Sequence, residues 1–520
     1  MKTIEQMTLR EKIGQMIVTG FPSTELSQEM QEVIEHYKVG NVILFSHNIE
    51  NKFQLGELVV ELQEAFTKHT DIAGFITIDQ EGGRVTRMPK DATNVAGAMA
   101  IASSGRPENA YAAGQITARE LRALGINFNL APVMDINNNP LNPVINVRSY
   151  GDSVETVQQY GIAMMKGLLD GGVMSSLKHF PGHGDTNVDS HIGLPIIDKS
   201  LEELELLELR PFVAAIEQGA QAIMSAHILF PQIEKSGLPG TMSYTIITEL
   251  LKEKLGFKGL VVSDCLEMDA IKRYYGTAQG ALGAIKAGID LIFISHSASI
   301  VKDAVHLIED AVAAGDLEES VIDAAVSKIL AYKAQYCEVE APNYTIVGCD
   351  VHRRANELMR TETISVVKGE IVPVRAGDEQ VLIIGSYSYR SDMASSSVNT
   401  DVNFAEHLGV HFDVAYEIID IDPSVEQIAA VLSKAERYNH IIIGLFNGRE
   451  NKGQLELVKR MIASGSKVTA ITLGRPYDLS LIDGSFTGIA AFEYSINTFR
   501  SIIPILSGEQ QPTAQITIEL

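Results

Sequence analysis

Cysteine is scarce in this chain. Only Cys265, Cys337 and Cys349 occur, three in all and without a zinc-type spacing. Neither a disulfide framework nor a zinc module is indicated, and free thiols in a reducing compartment are expected. Basic charge is in deficit as well: 42 Lys and Arg face 66 Asp and Glu, a formal net charge of −24. Nucleic acid and anionic membrane both select basic surfaces, so neither is an expected partner. No stretch approaches the run of about eighteen apolar residues that a membrane helix needs. The start, Met1–Leu9, has no apolar signal core, and Glu5 and Glu11 interrupt what surrounds it. Internal repeats and low-complexity tracts are absent too. Together these absences predict a cytoplasmic globular protein, with a monomer favoured. What is present is ample: 520 residues, 45% of them hydrophobic, suffice for two or three domains that each bury a core.

Short apolar runs alternate with longer amphipathic segments as far as residue 335. The runs are Met16–Val18, Val42–Phe45, Phe75–Ile78, Phe128–Ala131, Val173–Leu177, Ala222–Met224, Leu260–Val262 and Leu291–Ile294. Between them lie helical patterns such as Gln54–Lys68, Glu108–Leu124, Val154–Asp170, Leu201–Gln218, Ile246–Lys254 and Ala278–Ala287. Strand and helix in alternation mean a parallel sheet, and eight repeats are the count of a closed (β/α)8 barrel. The chain is therefore divided into a barrel, 1–335, a linker, 336–362, and a smaller C-terminal α/β domain with an open parallel sheet, 363–520. The second domain's runs are Ile364–Val367, Val381–Ile384, Ile441–Leu445, Val468–Leu473 and Ile489–Phe492. Its glycines Gly444, Gly448, Gly453 and Gly474 form no spaced phosphate-binding fingerprint.

A polar residue follows nearly every barrel run: Ser46-His47-Asn48, Asp79, Asp135, Lys178-His179, His227, Asp264 and Ser295-His296. In a barrel these positions share the C-terminal face, where active sites lie. One segment stands out. Lys178–His191 holds three histidines, two aspartates and a lysine in fourteen residues, broken by Pro181, Gly182 and Gly184. Two chemistries are open to it. His179, His183, Asp185, Asp189 and His191 could ligate a metal, although no His-x-x-x-His pair on a helix fixes them. Alternatively Asp189-Ser190-His191 is an acid–base dyad. In an extended segment residues i and i+2 point the same way, so Asp189 would hold one ring nitrogen of His191 and leave the other to move a proton. A nucleophile should face that proton donor, and Asp264, at the end of Leu260–Ser263, is the candidate; the plainer alternative is a helix N-cap for the Cys265–Lys272 segment.

At these residues a family resemblance appears. The loop Lys178–His191, the segment Ile78-Asp79-Gln80-Glu81-Gly82-Gly83-Arg84-Val85, the strand end Val261-Val262-Ser263-Asp264 and the start Met7–Met16 resemble the β-N-acetylglucosaminidases of glycoside hydrolase family 3, in their two-domain form. The resemblance covers residues 1 to about 335 and weakens beyond. It implies a retaining exo-β-N-acetylglucosaminidase with no cofactor and no metal. Asp264 is then the nucleophile, His191 the general acid/base and Asp189 its partner, while Asp79, Arg87, Arg148, Lys178 and His179 bind the sugar. The implied substrate is a small saccharide or muropeptide with terminal GlcNAc, as in the recycling of peptidoglycan GlcNAc-MurNAc fragments. Most retaining glycosidases use two carboxylates. A histidine acid is neutral after donating its proton and repels an incoming anion less, so a GlcNAc phosphorylase is an alternative, as is another β-glycosidase of the family. A metal-dependent hydrolase and a non-catalytic sugar sensor on the same barrel are the other readings.

The remaining residues receive plainer expectations. Asp79 could instead pair with Arg84 or Arg87, and Arg148 with Asp152. His183 and Asp185 should brace the loop. Asp135 receives no role, and His227 reads as a satisfied core histidine. Glu267 and Asp269 are expected to sit on the helix after Asp264 and cap it or bind its dipole, and Glu81 to sit in a tight turn before Gly82-Gly83. Arg390, Arg449 and Arg475 are the second domain's possible contributions, each more simply a surface charge. Phe180–Val188 should be the flexible span of the loop, so that His191 reaches its working position when substrate binds.

Overall fold

A computed structural model of the chain describes residues 2–396 and 402–520. Eight parallel strands close a barrel in chain order. They are β1 (Ile17–Thr19), β2 (Asn41–Leu44), β3 (Phe75–Ile78), β4 (Phe128–Asn129), β5 (Met174–Phe180), β6 (Ala222–Ser225), β7 (Leu260–Cys265) and β8 (Leu291–Ile294). The barrel closes because the first strand pairs with the last, Val18 opposite Phe293. Strands buried on both faces read as largely apolar runs, and Phe75, Phe128, Ile76, Val261, Val262 and Ile292 are all fully buried. The Phe75 and Phe128 rings meet edge to face, 5.3 Å apart, in the barrel interior.

Most helical patterns appear as read, for instance Lys52–Thr70, Pro107–Ala123 and Val154–Asp170. Two differ. The segment 201–218 splits into Leu201–Leu206 and Arg210–Glu217, because Pro211 cannot continue a helix but fits the first turn of a new one. Residues Thr245–Lys254 wind as a π-helix. Among the described residues no helix is long and apolar enough to cross a membrane.

The second sheet has six strands in the order β11-β10-β12-β13-β14-β9. These are β9 (Ser365–Lys368), β10 (Val381–Gly385), β11 (Ala415–Ile418), β12 (His440–Leu445), β13 (Lys467–Thr472) and β14 (Thr487–Ala490). It is mixed rather than parallel, since the edge strand β9 runs antiparallel to β14. The other edge, β11, alternates exposed and half-buried positions, which is why no apolar run marks it. The stretch expected as a linker contains a helix, Asp350–Thr361, that buries His352, Asn356, Met359 and Arg360. The two sheets are joined by shared packing: Val347, Met359, Tyr477, Phe492 and Ile518 belong to the same apolar cluster as Val95, Val147 and Tyr150 of the barrel.

Candidate active site

The carboxyl ends of the barrel strands open into a cavity of about 830 Å³. Asp79, Glu81, Arg87, Arg148, Lys178, His179, His191 and Asp264 all line it. Eight residues scattered over nearly two hundred positions therefore reach one space, because each ends or follows a strand of one closed sheet.

One wall is a buried ion network. Lys178 Nζ lies 2.7 Å from both Asp79 Oδ1 and Glu81 Oε1. Arg148 grips Glu81 with two hydrogen bonds, Nη2 to Oε1 at 2.7 Å and Nε to Oε2 at 2.9 Å. This forked geometry suits a guanidinium and a carboxylate. Burial works against every charge here. For Glu81 the neighbouring Arg148 and Lys178 outweigh it and hold the carboxyl far below its ordinary range. For Lys178, burial is outweighed by Asp79 and Glu81, and the ammonium is held above its ordinary value. Removing one member would strand its partner's charge at a cost of about 3–5 kcal/mol. Asp79 thus pairs with Lys178, not Arg84 or Arg87, and Arg148 pairs with Glu81, not Asp152. Glu81 does sit at a turn, with Gly82 and Gly83 at φ 94° and 58°. Its carboxylate, however, is the hub that holds two of the cationic side chains in place. Sequence reading missed that, since its partners lie far away along the chain.

Asp135, expected on this face but without a role, gains one here. It is fully buried at the end of the segment after β4, where it accepts His179 Nδ1 at 2.7 Å and the backbone N–H groups of His179 and His183 at 3.2 and 2.7 Å. The carboxylate therefore fixes the start of the loop and the orientation of the His179 ring. His183 bonds Thr186 Oγ1 at 2.8 Å and Ser190 Oγ at 3.1 Å. Burial and the neighbouring His179 push its pKa down to about 4, so it is a neutral brace. Asp185 pairs with Lys199 at 2.6 Å, and Lys199 also meets the buried Glu208 at 2.5 Å. The loop's histidines and aspartates each turn to a different partner, and among the described residues no three His, Cys, Asp or Glu side chains converge as a metal site would require.

The dyad residues meet, though not as an extended segment. Residues 189–192 form a turn, with Ile192 N–H donating to Asp189 O at 3.0 Å. Asp189 Oδ1 accepts both the backbone N–H of His191, at 2.9 Å, and its ring Nδ1, at 2.7 Å. This is an Asx-turn, which delivers the side chain to residue i+2 by local hydrogen bonding instead of by pleat. Burial opposes a charge on His191, but the Asp189 hydrogen bond and the charges of Asp189 and Asp264 prevail and hold its pKa above the ordinary value. Asp189 itself, despite burial, is held below the usual carboxylate range by His191.

Asp264 stands at the penultimate position of β7, and its Oδ1 accepts the N–H of Cys265 at 2.7 Å. It caps no helix, as the next helix spans only Asp269–Lys272. Burial would raise its pKa, but His227, His179 and His191 outweigh that and keep the carboxyl below its usual range. His227 is buried with both ring nitrogens engaged, by Thr241 Oγ1 at 2.8 Å and Cys265 O at 2.9 Å. Of the two acids, Asp269 sits in the first turn of its short helix, where it favours the dipole, and bonds Arg273 at 2.8 Å, whereas Glu267 lies outside that helix and accepts the N–H of His296 at 2.6 Å.

The second domain reaches the cavity through Arg390, Met393, Ala394, Ser395 and Ser396. Arg390 thus lies at the cavity, whereas Arg475 is buried against Glu450 and Arg449 lies where its backbone meets Asp478.

Known proteins are similar to this chain in sequence and in fold. Residues 8–332 match the model of the glycosyl hydrolase family 3 N-terminal domain. A β-hexosaminidase A of Pseudoalteromonas piscicida is 35% identical over 388 residues, covering 69% of this chain and 65% of that protein's own length. A β-hexosaminidase of Neisseria meningitidis serogroup C is 33% identical over 55% of this chain and 80% of its own. The solved glycoside hydrolase family 3 β-N-acetylglucosaminidase of Paenibacillus sp. FPU-7 superposes with a TM-score of 0.92 at 34% identity, covering 99% of both chains. With its barrel matched from end to end and the same two-domain architecture in a solved relative, this chain belongs to glycosyl hydrolase family 3.

Proposed function

We propose that the chain is a retaining exo-β-N-acetylglucosaminidase that releases terminal GlcNAc from small saccharides. The observation that carries the reading is the pairing, across one cavity, of a strand-end carboxylate held below its usual pKa range, Asp264, with an imidazole held above its ordinary pKa by a hydrogen-bonded carboxylate, His191 on Asp189. In the first step an Asp264 oxygen attacks the anomeric carbon. The bond to the glycosidic oxygen breaks, and that oxygen takes the proton from His191 Nε2, because Nδ1 is held by Asp189. In the second step the neutral imidazole removes a proton from water, water oxygen bonds to the anomeric carbon, and Asp264 departs as carboxylate. The configuration is retained after two inversions. The names of the relatives supply the sugar: they are β-hexosaminidases and a β-N-acetylglucosaminidase.

Asp79, Arg87, Arg148, Lys178 and His179 are the sugar-binding groups in this reading. Lys178 and Arg148 donate to hydroxyls and the acetamide carbonyl, while Asp79 accepts from hydroxyls. A carboxylate–hydroxyl bond of this kind is among the stronger neutral–ionic contacts. Cell-wall fragments such as GlcNAc-MurNAc are the proposed substrate, handled in the cytoplasm. The free state of Cys265, Cys337 and Cys349 supports a reducing compartment.

A chromogenic β-GlcNAc glycoside tests the reading. Wild type should hydrolyse it with the first-formed product in the β configuration by NMR. Asp264→Asn should lower kcat by about four orders of magnitude or more while the protein still binds GlcNAc, as expected when a group that reacts covalently is lost. An α first product, or full activity in the variant, removes Asp264 from the nucleophile role.

A further inference from the structure

The second domain does more than cover the barrel. Its segment Arg390–Ser396 lies across the turn that follows β3 and meets it through several hydrogen bonds and an ion pair. Ser396 N–H donates to Arg84 O at 2.8 Å. Ser396 Oγ accepts the N–H of Thr86 at 2.8 Å and Nη1 of Arg87 at 3.0 Å, and donates to Thr86 O. Arg87 Nη2 donates to Ala394 O at 2.8 Å. Two residues before Ala394, Asp392 pairs with Arg84 at 3.2 Å, its side chain only 4% exposed. Asp392 in turn accepts the N–H of Ser395 at 2.8 Å, which fixes the bend of the segment itself.

These contacts concern one side chain above all. Arg87 lines the cavity beside Asp79 and is buried, yet no barrel side chain holds its two terminal nitrogens among the described residues: both donate to the second domain. Its Nε has no partner among the described residues. An arginine has several rotatable bonds and settles only when its fork is held. The barrel alone supplies the backbone of Arg87, through Gln80 Oε1 at 2.7 Å from its N–H. It does not supply the orientation of the guanidinium.

We infer that Ser396 is a positioning residue for sugar binding, acting from the second domain by fixing the Arg87 guanidinium in the cavity wall. This rests on the proposed role of Arg87 in holding the sugar. Ser396 itself need not touch substrate. Its hydroxyl is saturated by Thr86 and Arg87, so its effect passes through the arginine. The second domain then sets affinity for the sugar without supplying a group to the chemical step.

The test uses the full chain and a chromogenic β-GlcNAc glycoside, with GlcNAc binding measured by calorimetry. Ser396→Ala should raise KM, and weaken GlcNAc binding, by about tenfold, the size expected for one hydrogen bond to a charged group, with kcat within about twofold of wild type by the same argument. Ser396→Thr keeps the hydroxyl and should restore both values. Ser396→Cys keeps the volume but accepts poorly, and should behave as the alanine variant does even where alanine disturbs folding. Unchanged KM and GlcNAc affinity in both the alanine and cysteine variants would overturn the inference, as would an equal loss carried by kcat. Arg87→Ala separates the two layers. If it leaves KM unchanged, the sugar-binding role of Arg87 falls; if it raises KM while the Ser396 variants do not, only the positioning role falls.

Discussion

At the scale of single residues, the decisive pair is Asp189 and His191. The imidazole must be protonated when the glycosidic bond breaks, so activity should fall as pH rises through its pKa. That pKa lies above the ordinary histidine value; burial opposes the charge, and the Asp189 hydrogen bond and charge overcome it. Asp264 must be ionised, and its pKa lies below the ordinary aspartate value, so the acidic limb comes from low pH upward. Asp189→Asn removes the largest influence that raises His191 and leaves the burial that lowers it. The alkaline limb of kcat/KM should therefore move to lower pH while the acidic limb stays. A pH–rate profile of the variant with an alkaline limb at or above that of wild type would show that the dyad does not set the acid. The dyad was legible from two letters spaced by one, although the pleat argument for it was not the operating one: an Asx-turn does the work. Glu81 was not legible as a site residue, and Asp135 was legible by position on the active face but not by role. Both are carboxylates whose partners are brought close only by closing the sheet, and nothing local distinguishes them from a turn acid or a strand-end acid.

At the scale of elements, the loop after β5 is braced from its first half. Asn142 Nδ2 donates to His183 O and Gly184 O at 2.8 and 2.9 Å. His183 N–H is held by Asp135 and Asp185 by Lys199. Gly184 packs so tightly on the segment after β4 that a Cβ there would lie 1.6 Å from Ile136 O. No side-chain rearrangement relieves a clash with backbone. Gly184→Ala must therefore displace the loop, at about 1–3 kcal/mol of stability by the usual toll of overpacking. Displacement would carry the turn at 189–192 with it, since Ser190 is tied to His183. The variant should remain folded by circular dichroism and lose at least tenfold in kcat/KM on substrates with poor leaving groups, which depend on the acid, and less on good ones. Equal rates on both classes would mean that the dyad moves independently of the first half of the loop. Elements were well read where an apolar run marked them. They were misread where the mark was absent, as with the alternating edge strand β11, or where a proline divided one amphipathic pattern into two helices.

At the scale of the whole molecule, the two sheets behave as one packed body in their contacts. Helix Asp350–Thr361, in the stretch read as a linker, is wedged between them. Its Arg360 pairs with the buried Glu493 of the second domain and donates to Asn94 O of the barrel at 3.0 Å. Tyr477 OH accepts from Asn137 Nδ2 at 2.9 Å, and Thr517 Oγ1 donates to Tyr150 O at 2.6 Å. A linker was expected because the stretch is polar and interrupted by Pro342 and Gly348, and a short charged helix buried at an interface leaves no stronger local signal. These contacts are polar, buried or half-buried, and accompany an apolar cluster that draws on both sheets. Two units coupled in this way lose the interface's stabilisation together, so calorimetric unfolding should give a single transition in which barrel and second sheet melt at one temperature. Arg360→Ala leaves Glu493 buried without its counter-charge, a loss of about 3–5 kcal/mol. If the coupling is as strong as the contacts imply, that variant melts earlier, still in one transition, and with sugar affinity reduced only as far as the segment holding Arg87 is disturbed. Two resolved transitions in the wild-type protein, or an Arg360 variant that melts at the wild-type temperature, would mean that the interface is merely apposed and that the barrel holds its site without the second domain.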